Sequence, residues 1–144
     1  MAVSFALNVN FSSCNKPLAI NKPTDSTPEK PNPEKERWLK GRDLFRANCA
    51  SCHNIKFDGA GPALKGVSAR WQAAGAYKGK SGEQWLKMWI RNWHDVVDAD
   101  YKYGVEMANS RPAQMNIFNW LDDGKIDDIL FYVESPDLSK PVEK

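Results

Sequence analysis

The chain has 144 residues, of which 26% are charged, and a formal charge of only +2. That length allows one domain of ordinary size plus a tail, and so small a net charge leaves no electrostatic footprint for nucleic acid. No run of about eighteen apolar residues occurs, so the sequence as given offers no membrane-spanning helix. Six tryptophans must be buried or must line something.

Residues 1–33 differ in composition from the rest. A short apolar start, Met1 to Phe11, reads as a signal remnant, although no basic residues precede it. Phe11-Ser12-Ser13-Cys14 loosely resembles the box before the acylated cysteine of a bacterial lipoprotein. Asn8 and Asn10 interrupt the apolar run, so a free cysteine in a tail stands equally beside a lipid anchor at Cys14. Prolines at 17, 23, 28, 31 and 33 oppose both helix and ladder, which predicts an extended, flexible linker. The folded domain is expected over 34–136, with a polar tail over 137–144.

The first predicted helix runs from Glu34 to Ala47, with Trp38, Gly41, Leu44 and Phe45 at helical spacing. Pro33 suits its entrance, and Glu34 and Glu36 suit the positive end of its dipole. Gly41 costs helix stability, which hints that another backbone comes close there. The helix delivers Cys49-Ala-Ser-Cys52-His53 at its end. Asp58-Gly59-Ala60-Gly61-Pro62 is a loop by every local signal. A second helix begins with Ser81 as N-cap and carries Trp85, Leu86, Trp89 and Ile90 on one apolar face. Residues 95–109 are weakly patterned, with a turn of helix around Tyr101 to Met107. The last helix spans about Asp123 to Glu134, capped by Asp122 or Asp123, lined by Ile126, Ile129, Leu130 and Val133, and ended by Pro136. No segment alternates as a strand would. The pattern is all-α with long loops, and so much loop needs something to pack around.

C-x-x-C-H is the attachment signature of a c-type haem. Two thiols three positions apart each form a thioether to a porphyrin vinyl group, and the adjacent histidine is held against the iron. A thioredoxin-like pair would want a βαβ context, but the preceding residues read as helix. A structural zinc would want a second ligand pair, and only the distant Cys14 and His94 remain.

From about residue 34 to 135 the chain resembles a class I, monohaem cytochrome c of bacterial type. The resemblance implies the small cytochrome c fold: three to five helices with long loops wrapped around one covalently bound haem. Cys49, Cys52 and His53 match the haem-binding motif. Gly61-Pro62 matches the loop whose proline carbonyl accepts the other N–H of the proximal histidine, which fixes the tautomer. Gly41 and Phe45, with Ile129 and Tyr132, match the crossing of the terminal helices. Arg70 and Trp71 sit where the family often places partners of a haem propionate. For the sixth ligand the family's Met-Pro-x-Phe is matched by Met115-Asn116-Ile117-Phe118, with Asn116 in place of proline. Met107 is the competitor; Met88 and His94 are weaker rivals.

A neutral thioether favours ferrous iron, and filling both axial positions denies the iron to other ligands. The resemblance therefore implies a one-electron carrier in a respiratory or photosynthetic chain rather than an enzyme. Its partners would be redox proteins or a membrane respiratory complex, and its place the periplasm or the outer face of the cytoplasmic membrane, with Cys14 as a tether. Lys56, Lys65, Arg70, Lys78 and Lys80, opposed only by Asp58, would steer it to an acidic partner; an ordinary solvated face is the plainer alternative. Two other functions stand beside this one. If neither Met115 nor Met107 ligates, the site is open to a gas or peroxide. If the tail anchors the domain, it is a relay subunit of a membrane oxidoreductase.

Overall fold

The computed structural model describes residues 32–139; Cys14 and the rest of the proline-rich segment lie outside them. Helix α1 is Pro33–Asn48, one residue longer at each end than predicted. Its N-cap is Asn32, whose side-chain oxygen accepts from the N–H groups of Glu34 and Lys35 at 3.1 and 3.2 Å. Pro33 then occupies the first turn, where a missing N–H costs nothing. The last helix in the chain, α6, is Asp123–Glu134, with Asp122 accepting from the Lys125 N–H at 2.8 Å.

These two helices cross at Gly41. A methyl group placed there would overlap the Asp128 carbonyl, so only glycine lets the backbones meet. Tyr132 fills the space around that contact, with its ring centroid 5.0 Å from Trp38 and 5.4 Å from Phe45. Arg37 adds a bridge from α1 to the Asp128 carboxylate at 3.1 Å and to the Asp127 carbonyl at 3.0 Å. Next to Asp128, Ile129 is buried in the core.

Between them lie α2 (Val67–Ala73), α3 (Gly82–Arg91), α4 (Trp93–Asp98) and α5 (Lys102–Asn109). The all-α expectation holds: among the described residues no strand forms, and Tyr77 and Lys80 make only an isolated bridge. The six helices among the described residues exceed the three to five expected, because α2 carries no local cap signal and 93–109 holds two helices rather than one turn. Ser81 caps α3 in a reciprocal box with Gln84. Asn92 ends α3 by turning extended (φ −154°), and its side chain then caps α4 through the His94 N–H at 3.2 Å.

Helix α2 has no cap of its own, since the left-handed Gly66 (φ 75°) stands where a side-chain acceptor would. Its orphan donors are met from the far end of the chain. The Glu134 carboxylate accepts from Gly66 N–H at 2.9 Å and from Ser68 N–H at 3.1 Å. Val96, Leu121, Ile126 and Val133 sit at the centre of the core with Trp85 and Leu86, each aliphatic side chain contributing about 1.5–3 kcal/mol by burial.

Candidate cofactor site

The C-terminus of α1 turns directly into the cysteine motif. Cys49 N–H bonds the Phe45 carbonyl at 2.8 Å, and the Cys49 carbonyl in turn accepts from Cys52 and His53 N–H at 3.1 and 2.9 Å. This tight turn holds both thiols and the imidazole on one short piece of backbone. The loop then folds back on it: Gly61 N–H reaches the Cys52 carbonyl at 2.8 Å, and Leu64 N–H the Asn54 carbonyl at 3.1 Å. Asn54 braces the bend with its side chain, accepting from Lys56 and Phe57 N–H. Asp58 does the same from the other side through Ala63 N–H at 2.8 Å.

That loop brings the Pro62 carbonyl 3.0 Å from His53 Nδ1. A carbonyl only accepts, so Nδ1 carries the proton and Nε2 is the basic nitrogen. Gly61 lies against the imidazole face, and a Cβ there would overlap the ring. Burial pushes the Cys49 thiol up to about 11, whereas Cys52 is exposed. A thiol is a nucleophile only as its thiolate, so the buried position holds Cys49 protonated at ordinary pH.

A second segment, 111–121, has no regular structure and is held by side chains from elsewhere. Trp93 Nε1–H donates to the Met115 carbonyl at 2.9 Å. The Arg91 carbonyl accepts from Phe118 N–H at 2.7 Å, and Arg91 Nε donates to the Leu121 carbonyl at 2.9 Å. Arg111 ties the segment to the cysteine loop, bonding Asp58 at 2.6 Å and the Gly59 carbonyl at 3.2 Å. The Ala63 N–H first, then Arg111, holds the Asp58 carboxyl below its ordinary value.

The two segments meet in one cleft of about 210 Å³. Cys49, Cys52, His53 and Pro62 contribute from one segment, and Met115 from the other. Met107 lines the same cleft from α5, so both sulfur candidates are present. Trp89, Ile90, Leu64 and Leu130 give it an apolar lining. The donor set fits a covalent porphyrin: two thiols three apart, one imidazole with its far nitrogen pinned, thioethers, and apolar walls.

The other expected residues divide. Trp71 is buried at 3% exposure and lines the cleft among Trp89, Tyr103 and Tyr101. Arg70 reaches the cleft, yet its guanidinium donates to the Lys65 and Ala63 carbonyls at 2.7 and 2.8 Å. It braces the loop just after Pro62. His94 is exposed, stacked on Trp93 at a centroid distance of 3.7 Å, and is not in the cleft lining. Met88 packs against the core instead. Among the described residues no three or more His, Cys, Asp or Glu side chains cluster as metal ligands. Sequence reasoning missed Arg91, Trp93 and Arg111. The Asn92…Asp95 spacing, an N-cap signal between two tryptophan-bearing stretches, would have exposed the break that presents Trp93.

The cytochrome c family model matches residues 39–137, and the chain belongs to that family. Its cofactor is a covalent haem c, for which Cys49-Ala-Ser-Cys52-His53 is an attachment motif of the right type. A "Cytochrome c-553-like" protein of Synechocystis sp. is 59% identical over 32 residues, 22% of this chain and 30% of that relative. The chain thus matches under a third of the relative's length. No solved structure matches significantly. Members of that family carry electrons on a covalently bound haem.

Proposed function

We propose that the chain is a monohaem carrier in which Cys49 and Cys52 form the thioethers and His53 and Met115 are the axial ligands. The observation that carries the reading is the 3.0 Å contact of His53 Nδ1 with the Pro62 carbonyl. It fixes one ring nitrogen as donor and leaves Nε2 as a pre-oriented electron-pair donor, and it makes the imidazole more basic. The bound haem supplies a one-electron iron couple. Around it, the apolar side chains of Trp71, Trp89 and Leu130 exclude water and disfavour added positive charge. Met115 is favoured over Met107 because its backbone is held in place by Trp93 while its segment is otherwise irregular.

Electrons pass at the cleft mouth, between the cysteine loop and the Met115 segment. Phe57, Ile117 and Trp120, at 69%, 49% and 54% exposure, lie on these two stretches and offer an apolar contact. Lys65, Arg70 and Lys78 are each engaged with backbone carbonyls, which fixes their heads but leaves their charge to act at a distance. A strong salt dependence of the partner on-rate speaks for steering, and a flat response speaks for apolar docking. In this reading the domain, expected over 34–136, acts outside the bacterial cytoplasm, where thioether attachment of haem takes place in the family; no helix among the described residues is long and apolar enough to cross a membrane. Cys14 is the candidate tether, and mass spectrometry of the native protein reads its acylation directly.

The axial assignment is tested by absorption spectra and carbon monoxide titration of Met115→Ala beside Met107→Ala. Loss of the sulfur-to-iron charge-transfer band in the first alone supports it. Ready carbon monoxide binding by the unmutated reduced protein favours the open-site reading instead.

A further inference from the structure

The junction between α3 and α4 presents two groups to the Met115 segment. The Arg91 carbonyl takes the Phe118 N–H at 2.7 Å, and the Trp93 indole N–H takes the Met115 carbonyl at 2.9 Å. The four residues 115–118 of the segment are thus clamped at both ends by two points of one turn. Asn92 makes the turn rigid by ending one helix and capping the next, so Trp93 stands at the first position of α4. The indole is 9% exposed and lines the cleft, with Trp89 at a centroid distance of 6.3 Å and His94 stacked on it. Its ring orientation is therefore set by packing, and the N–H has one direction to point.

We infer that Trp93 is a positioning residue for Met115: its N–H fixes the peptide of the ligand and so raises the cost of moving the thioether off the iron. The inference rests on the axial assignment proposed above. A segment without helix or strand has many conformers, and holding it in one costs conformational entropy at every residue. A hydrogen bond to the peptide of the ligand itself meets part of that cost before an external ligand competes. The bond links residues 22 positions apart, so it acts only when the whole fold is assembled.

Trp93→Phe in the holoprotein keeps an aromatic ring and deletes the donor. Imidazole titration of the ferric form, followed by loss of the sulfur-to-iron band, measures the competition. The expected result is imidazole binding tightened by roughly 3- to 10-fold, the loss of one neutral hydrogen bond, with the band still present in the absence of imidazole. An unchanged imidazole affinity overturns the inference. Met115→Ala is run beside it: if that variant keeps the band, the axial assignment fails first, and the Trp93 inference fails with it for a separately visible reason. If Trp93→Phe does not fold, hydrogen exchange of the Trp93 indole N–H in the unmutated protein reads the same bond. Protection that is lost when imidazole displaces the sulfur supports the inference; identical exchange with and without imidazole overturns it.

Discussion

The two sides of the cleft are built by different means. On the histidine side, the bonds lie within one short loop, and the decisive one spans 9 residues, His53 to Pro62. On the methionine side, the anchors reach 22 residues from Trp93 to Met115, 30 from Arg91 to Leu121 and 53 from Arg111 to Asp58. Local contacts form early and survive small openings, while distant ones need the rest of the fold in place. The side that fixes the cofactor is thus nearly self-sufficient. The side that closes the site borrows its order from the whole domain and is the first to yield.

The sharpest way to break this contrast is at Gly61. Gly61→Val pushes a side chain into the His53 ring and should cost roughly 3 kcal/mol by overpacking, with haem per polypeptide falling in a pyridine haemochrome assay. On the other side, Met115→Ala should cost about 2 kcal/mol yet keep the thioether-bound haem. The reduced variant should then bind carbon monoxide where the unmutated protein does not. If the two variants lose haem equally, the sides are not independent. Glu134→Ala touches neither side directly. Loss of the α2 cap should lower unfolding stability by about 1–2 kcal/mol, read by urea denaturation, and leave the axial absorption bands in place.

The smallest effect lies at the link between the sides. Asp58 is held below its ordinary value by the Ala63 N–H and then by Arg111, so its folded-state pKa lies under that of the unfolded chain. Its stabilising contribution is complete above about pH 4, the unfolded value, and is lost as pH falls through the folded value. Asp58→Asn should therefore flatten the acid limb of the stability profile below about pH 4 relative to the unmutated protein. An acid limb identical in both would remove Asp58 from the account.

The same difference in reach explains what the sequence reveals. Cys49, Cys52, His53 and the Gly61-Pro62 loop are legible because each signal and its partner sit within a few residues. Helix α6 is legible for the same reason: Asp122, the 126–129–133 spacing and Pro136 are all local. Helix α2 is not, because Gly66 offers no side-chain cap and the acceptor it uses, Glu134, is 68 residues away. Met115 is legible only by its position ahead of α6, and Met107 shares the cleft. Arg70 reads as a cofactor contact in sequence, and in the fold it lines the cleft while two of its N–H groups also meet the carbonyls of 63 and 65. Composition and spacing carry no trace of those two bonds.

The crossing at Gly41 sets a clock on the chain. Its partner, Asp128, is among the last residues of the folded part to be made. A polypeptide growing from its N terminus presents Cys49 and Cys52 long before α6 exists to close over α1. The burial that holds the Cys49 thiol protonated is a property of the finished molecule. In the unfolded chain that sulfur is solvated and closer to its reactive, thiolate form. Joining sulfur to porphyrin is therefore easiest before α6 has docked on α1, and folding closes that window.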